Sequence, residues 1–340
     1  MRCGAFGDMV LLLPLIQTLS RRFGTPVDIV SSGGWTRPLL EGQPGVGELY
    51  LVRSRRRPYL VSPDQWRLVR ALRARGPGPA WFLDPGGVGR SLLERGGLGA
   101  KWRVDIGNVP RRAGEHYLEW FQRLAALSPP ALGVPPAAPV PVAGPALVVA
   151  PAARADLEAW LGALGLATRP LLLVQAGNKR TMRRGDRRRS SNTKYWPEAH
   201  WAEAVRTLRR LHPGHAVVLL GVPSEHALNE EIRLACADDA VVNAANELPI
   251  PRLLALLERA SGMLSVDTGP AHAAAALGVP LVVLFGAADP ALYRPRGAPG
   301  APVECLAPEP PGPLETLALA TVLDALARLA LRAAPSPAAD

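Results

Sequence analysis

Cysteine is scarce: three among 340 residues, at positions 3, 236 and 305, an odd number at wide and irregular spacing. That excludes a disulfide scaffold and a cysteine-based metal site, and it fits a reducing compartment. Lysine is almost absent. Only Lys101, Lys179 and Lys194 occur, so arginine supplies 36 of the 39 basic residues. With proline at 36 and glycine at 33, this composition reads as codon bias, and the net charge of +10 is not taken as a nucleic-acid signal. Long apolar runs are missing too. The stretch 9–19 (MVLLLPLIQTL) is too short to span a bilayer, which needs about 20 residues. Asp8 interrupts any signal-peptide core and no small-residue cleavage site follows. A soluble cytoplasmic chain is expected, peripheral where a basic face meets an anionic membrane.

What is present is an ordinary apolar content of 48%, enough to exclude bulk disorder, over a length that suggests two domains. Charge is unevenly placed. Residues 1–150 carry 19 basic and 10 acidic side chains, whereas 151–340 carry 20 and 19. Within the second part, 179–194 holds eight basic residues and one acid, Asp186.

Short apolar runs alternate with helical patterns throughout. Strands are predicted at 27–30, 48–52, 80–83 and 103–106, with helices between them at 62–75 and 114–127. The stretch 128–145 (SPPALGVPPAAPVPVAGP) is a semi-rigid linker. After a helix at 154–164, strands follow at 171–175, 216–220, 241–243, 262–266 and 281–285. Helices fall at 197–211, 224–236, 251–260 and 270–277, and a last amphipathic helix at 313–333. This alternation predicts an α/β chain of two doubly wound, Rossmann-like domains, at 1–145 and 146–333, followed by a disordered tail at 334–340. Ligands of such sheets lie outside the carboxyl ends of the strands, so the expected site is a cleft between the two domains.

Three motifs fall at such places. Ser265-Val-Asp-Thr-Gly-Pro-Ala-His272 follows a buried strand and opens a helix whose free N–H groups suit a phosphate. Plain capping, with His272 a core histidine, explains it equally well. The loop 177–197 (GNKRTMRRGDRRRSSNTKYWP) is long for a compact domain. Its cations, with Ser190, Ser191 and Thr193 beside Lys194, would clamp a diphosphate, unless they are only a solvated charge run. Gly4-Ala-Phe-Gly-Asp8 precedes a helix containing Pro14, and Asp8 is either its N-cap or an ionised general base. Two signals are weaker. Glu225, in Gly221-Val-Pro-Ser-Glu225, is a ribose-binding acid or an ordinary first-turn glutamate. The cluster 86–89 (GGVG) lacks the spacing of a dinucleotide fingerprint.

Together these residues resemble glycosyltransferase family 9, the ADP-heptose:lipopolysaccharide heptosyltransferases of Gram-negative bacteria. The likeness runs through 7–15 (GDMVLLLPL), 193–201 (TKYWPEAHW), 219–225 (LLGVPSE), the D-T-G-P-A-H motif and 284–290 (LFGAADP). It implies a GT-B fold, with the acceptor against the N-terminal domain and the donor nucleotide in the C-terminal one. It implies inversion without a metal or other cofactor, the nucleotide-sugar being a substrate. By position, Asp8 resembles the general base, and Lys194 with Ser190 or Ser191 the diphosphate ligands. Glu225 resembles the ribose-binding acid, Leu248 falls near the adenine pocket, and Asp267 matches the residue holding the sugar hydroxyls. Thr268 and Gly269 offer backbone N–H groups, and His272 belongs to the same motif. The expected partners are a nucleoside-diphosphate sugar, ADP-heptose by resemblance, and an anionic lipopolysaccharide-core glycolipid at the inner face of the inner membrane, with no nucleic acid. Arg53, Arg55, Arg56 and Arg57, with Arg111 and Arg112, form a basic patch for that acceptor or leaflet. The chain departs from the family by beginning almost at Gly4, where a strand usually precedes; either the start lies upstream of Met1, the preferred reading because losing a central strand would strip partners from its neighbours, or the N-terminal sheet lacks a strand. The 179–194 loop is also longer and more basic than in well-known members. The rival readings are a non-catalytic sugar-binding protein of the same fold and a Rossmann-type oxidoreductase.

Overall fold

The computed structural model describes residues 1–53, 57–84, 89–138, 141, 143–178, 192–297 and 301–333, with the backbone of 182–183 and 186–187. Two compact units divide it, Met1–Pro145 and Ala146–Asp340.

In the first unit, α1 (Phe6–Phe23) is followed by β1 (Val27–Ser31), α2 (Thr36–Leu40), β2 (Val46–Leu51) and α3 (Pro63–Arg75). Then come β3 (Ala80–Phe82), α4 (Arg90–Arg95), β4 (Arg103–Asp105) and α5 (Tyr117–Ala126). Parallel pairing joins β1 to β2, with Val30 opposite Tyr50, and β3 to β4, with Trp81 opposite Val104. Two residues bridge the pairs. The Arg2 N–H donates to the Val30 carbonyl at 3.0 Å, and the Met1 carbonyl accepts from the Leu83 N–H at 2.8 Å. The Met1 ammonium donates to the Trp81 carbonyl at 2.6 Å, and burial lowers its pKa to about 6. α1 runs unbroken through Pro14, carrying the buried run Met9–Leu13 into the core and ending at Gly24 in the left-handed region.

The second unit is built on one parallel sheet. Its elements are α6 (Pro151–Ala163), β5 (Leu171–Gln175), the antiparallel pair β6 (Met182–Arg183) and β7 (Asp186–Arg187), α7 (Glu198–Leu211), β8 (Ala216–Leu219) and α8 (His226–Cys236). They continue with β9 (Val241–Asn243), α9 (Ile250–Arg259), β10 (Gly262–Val266), α10 (Gly269–Ala276), β11 (Leu281–Leu284), α11 (Pro290–Tyr293), β12 (Val303–Leu306) and α12 (Leu319–Arg328). The strand order β12-β11-β10-β5-β8-β9 places β10 and β5 at the centre, where both are wholly buried. Continuous apolar runs such as Leu171–Val174 are what a sheet covered on both faces requires.

The expected helix at 313–333 is shorter. A 3-10 turn (Leu314–Thr316) comes first and α12 ends at Arg328. Beyond it the Arg332 guanidinium donates to the carbonyls of Leu257, Ala260 and Leu277, closing the C-terminal ends of α9 and α10. Those bonds use main-chain acceptors that helix ends leave open, which favours an extended chain there over further helical turns. The edge strand β12 was not anticipated from sequence. The residues expected to form the tail, 334–340, lie outside the described set, as do 86–88 of the glycine cluster.

Candidate functional site

The sharpest cluster forms where β10 hands over to α10. Asp267 follows the strand, and its main-chain N–H is fixed by the Leu284 carbonyl at 3.0 Å. Thr268 is the N-cap in extended conformation, yet its hydroxyl does not cap; it lies 3.2 Å from the Ser265 hydroxyl instead. Pro270 falls at the second helical position rather than the first, and it has no N–H to satisfy. The first turn of a helix leaves its N–H groups without intrahelical acceptors, so Gly269 and its neighbours present partial positive charge.

Against this turn lies Lys194, 73 residues away in sequence. Its ammonium donates to the Asp267 carboxylate at 2.5 Å and to the Asp267 carbonyl at 2.6 Å. The side chains are 26% and 12% exposed, so the pair is shielded but reachable from water. His272 is buried, and its Nε2 stands 3.8 Å from the other Asp267 oxygen. One carboxylate therefore holds a cation at one oxygen and faces an imidazole at the other.

The position of Lys194 is set by its neighbours. Its own N–H bonds the Asn192 side-chain oxygen at 3.2 Å, and the Thr193 carbonyl accepts from the Leu314 N–H at 2.9 Å. Trp196 is buried, with its indole N–H on the Leu317 carbonyl and its ring edge-on to Trp201 at 5.1 Å. Gly286, just past β11, explains why Thr193 can sit there: a Cβ at that position would come within 1.8 Å of the Thr193 carbonyl oxygen.

Glu225 lies on the adjoining part of the same strand edge, in the 3-10 turn Pro223–Glu225 after β8. It is 3% exposed, accepts from the Val222 N–H at 3.0 Å, and has its pKa raised chiefly by burial. Gln175, which ends β5, donates to it at 3.3 Å and to the Gly177 carbonyl at 2.9 Å. Sequence reasoning missed Gln175. The signal was available, since it is the one polar residue closing the apolar run LLLVQ. Leu248 is half-buried on the loop after β9, and Asn246 of that loop donates from its N–H to the Gly221 carbonyl. Lys194, Glu225, Leu248 and Asp267–His272 are thus grouped on the carboxyl side of one sheet. Ser190 and Ser191 lie outside the described residues.

In the first unit, Asp8 is not the N-cap of α1. Ala5 holds that place, and Asp8, three residues on, folds its carboxylate back onto the Ala5 N–H at 2.8 Å. Arg2 approaches the same oxygen at 3.4 Å, and the Asp8 side chain stays 33% exposed. A Cβ on Gly4 would lie 2.8 Å from that oxygen, so glycine there lets the carboxylate come close to the main chain. Arg53 and Arg57 are exposed, while Arg55 and Arg56 lie outside the described residues. Arg111 is occupied elsewhere, donating to the Glu115 carbonyl and lying over the Tyr117 ring.

The family profile of glycosyltransferase family 9 (heptosyltransferase) matches residues 110–302. The chain belongs to glycosyltransferase family 9. Within the family, lipopolysaccharide heptosyltransferase 3 of Escherichia coli strain K12 is 33% identical over 305 residues, covering 85% of this chain and 82% of that protein. Lipopolysaccharide heptosyltransferase 2 of Salmonella typhimurium is 27% identical over 303 residues, again 85% and 82%. Among solved structures, E. coli ADP-heptose lps heptosyltransferase II superposes with a TM-score of 0.73 at 22% identity, over 96% of each chain. The family 9 glycosyltransferase of Veillonella parvula gives 0.76 at 18% identity, over 96% of this chain and 94% of that one. The fold is therefore GT-B. Membership supports glycosyltransferase activity and, in general terms, heptosyl transfer in lipopolysaccharide synthesis, and it leaves the oxidoreductase reading without support.

Proposed function

We propose that this chain is an inverting, metal-independent transferase that moves heptose from ADP-heptose to a lipopolysaccharide-core acceptor at the inner face of the inner membrane. The observation that carries the reading is the Lys194–Asp267 pair set against the first turn of α10. It gathers in one place a cation, open helix N–H groups and a carboxylate. A nucleoside-diphosphate sugar needs the first two at its phosphates and the third at its sugar hydroxyls.

In the proposed reaction the acceptor hydroxyl oxygen attacks the anomeric carbon as the bond to the diphosphate breaks. Negative charge grows on the departing phosphate, where Lys194 and the Thr268–Gly269 amides supply preorganised positive potential. No acid is needed for that leaving group. One base suffices, and Asp8 takes the hydroxyl proton. Glu225, oriented by Gln175, binds the ribose hydroxyls, while Leu248 lies under the adenine. His272 lies beside Asp267 and keeps that carboxylate turned toward the sugar. Exposed Arg53 and Arg57 contribute positive charge for an anionic acceptor.

A thermal-shift screen of nucleotide-sugars tests the donor assignment. Binding stabilises by RT ln(1 + [L]/Kd), about 2.7 kcal/mol at a hundredfold excess over Kd. ADP-linked sugars should raise Tm more than UDP-, GDP- or dTDP-linked ones. Equal or absent shifts would count against it.

A further inference from the structure

The connection between β2 and α3 carries apolar side chains on the outside. Tyr59–Val61 forms a 3-10 turn in which Leu60 is 78% and Val61 65% exposed, and Trp66 in the first turns of α3 is 44% exposed. Isolated exposed apolar residues are ordinary, but three within seven positions are not. The turn is also held firmly. The buried Ser62 hydroxyl donates to the Pro58 carbonyl at 2.9 Å, and buried Gln65 donates to the Arg57 carbonyl at 3.2 Å. Buried polar groups thus fix a turn that presents aliphatic side chains to water.

The sequence of this segment is strongly basic, although Arg75 at its end is ion-paired with Asp28 and Glu48. Residues 53–75 contain eight arginines and a single acid, Asp64. That acid is engaged, accepting the Arg53 main-chain N–H at 2.6 Å. On α3, Trp66, Arg67, Arg70 and Arg73 are all exposed, with Trp66, Arg70 and Arg73 at helical spacing along one face. Exposed aromatic and aliphatic side chains with exposed arginines beside them in the chain have the chemistry of a surface that settles into an anionic bilayer. The apolar groups enter the interface while the guanidiniums meet lipid phosphates. The turn follows the carboxyl end of β2, and Asp8 follows the residues that ladder beside β1, so both belong to the same edge of this unit's parallel strands.

We propose that Leu60, Val61 and Trp66, with Arg57, Arg67 and Arg70, form a docking surface for an anionic lipid bilayer. This goes further than a peripheral position by naming the side chains that enter the lipid. Its test uses neither donor nor acceptor, so it stands or falls separately from the transferase reading. The full chain is floated with vesicles of phosphatidylcholine alone and of phosphatidylcholine with phosphatidylglycerol. The expected result is binding only to the anionic vesicles, weakened by salt. Arg67→Gln with Arg70→Gln should weaken partitioning about fivefold for each arginine removed. Leu60→Ser with Val61→Ser and Trp66→Ser should weaken it at least about tenfold while the chain stays folded at the assay temperature, since Leu60 and Val61 are mostly exposed and only Trp66 gives up substantial covered area. Brominated lipid should quench tryptophan emission in the parent more than in Trp66→Phe. Equal partitioning by the triple-serine variant, or failure of the parent to bind anionic vesicles, would overturn the proposal, as would equal binding to neutral ones.

Discussion

The two units hold their chemistry in different ways. In the second, Lys194, Asp267 and Glu225 sit at the ends of, or are braced against, a six-stranded sheet whose central strands are fully buried. Their places follow from main-chain register: Asp267 hangs on the Leu284 carbonyl, and Thr193 on the Leu314 N–H. In the first, strands pair two by two, and the candidate residues are held by local bonds from side chain to main chain. Asp8 is tied to Ala5, Asp64 to Arg53 and Gln65 to Arg57. A site fixed by register should be hard to alter without loosening the fold. One fixed by local bonds should lose function while the fold stays intact.

The largest effect expected is at Asp8. Asp8→Asn keeps an oxygen for the Ala5 N–H but removes the base, so turnover should fall by about 10²–10⁴. Tm should move by less than about 2 °C. A comparable loss of stability would break the distinction. Next comes Lys194→Ala, which should lower turnover about 10²–10³ by removing a cation from the leaving diphosphate. It also leaves the partly shielded Asp267 carboxylate without its ion-pair partner, so some stability should go with it, read by denaturant titration.

Gly286→Ala touches no ligand in this account, yet its Cβ would collide with the Thr193 carbonyl that positions Lys194. Overpacking of this kind costs about 1–3 kcal/mol, and activity should fall together with Tm. Loss of stability with full activity would show that Lys194 is not placed by that contact.

The smallest effect is at Glu225. Burial raises its pKa, so the folded chain binds that proton more tightly than the unfolded one. The stability gained is complete below the unfolded pKa and is lost as pH rises through the raised folded value. At neutral pH the buried carboxylate therefore weighs on the fold. Glu225→Gln should raise Tm at about pH 8, with the advantage gone by about pH 4, while the donor KM increases. A difference that ignores pH would contradict this.

Much of the second unit was legible in the sequence because burial on both faces imposes continuous apolar runs, and because the D-T-G-P-A-H turn needs its residues in order. The edge strand β12 was not, since VECL is only half-buried and lies in a stretch rich in proline and glycine. Lys194 and Asp267 were each visible as candidates, but their contact spans 73 residues and no local pattern encodes it. Asp8 was readable as a helix-start acid; that Ala5 would be the cap depended on a backbone angle that sequence does not display. Leu60, Val61 and Trp66 did not stand out in the sequence, because pattern alone does not tell an outward apolar turn from a core one.

The most direct test of the whole account is to follow ADP-heptose and a lipopolysaccharide-core acceptor by proton NMR in the presence of this chain. ADP and a heptoside should appear one for one, the new linkage should have the opposite anomeric configuration to the donor, and Asp8→Asn should slow the appearance of both signals together by about 10²–10⁴. ADP-heptose left intact by the folded parent, or a product retaining the donor configuration, would contradict it.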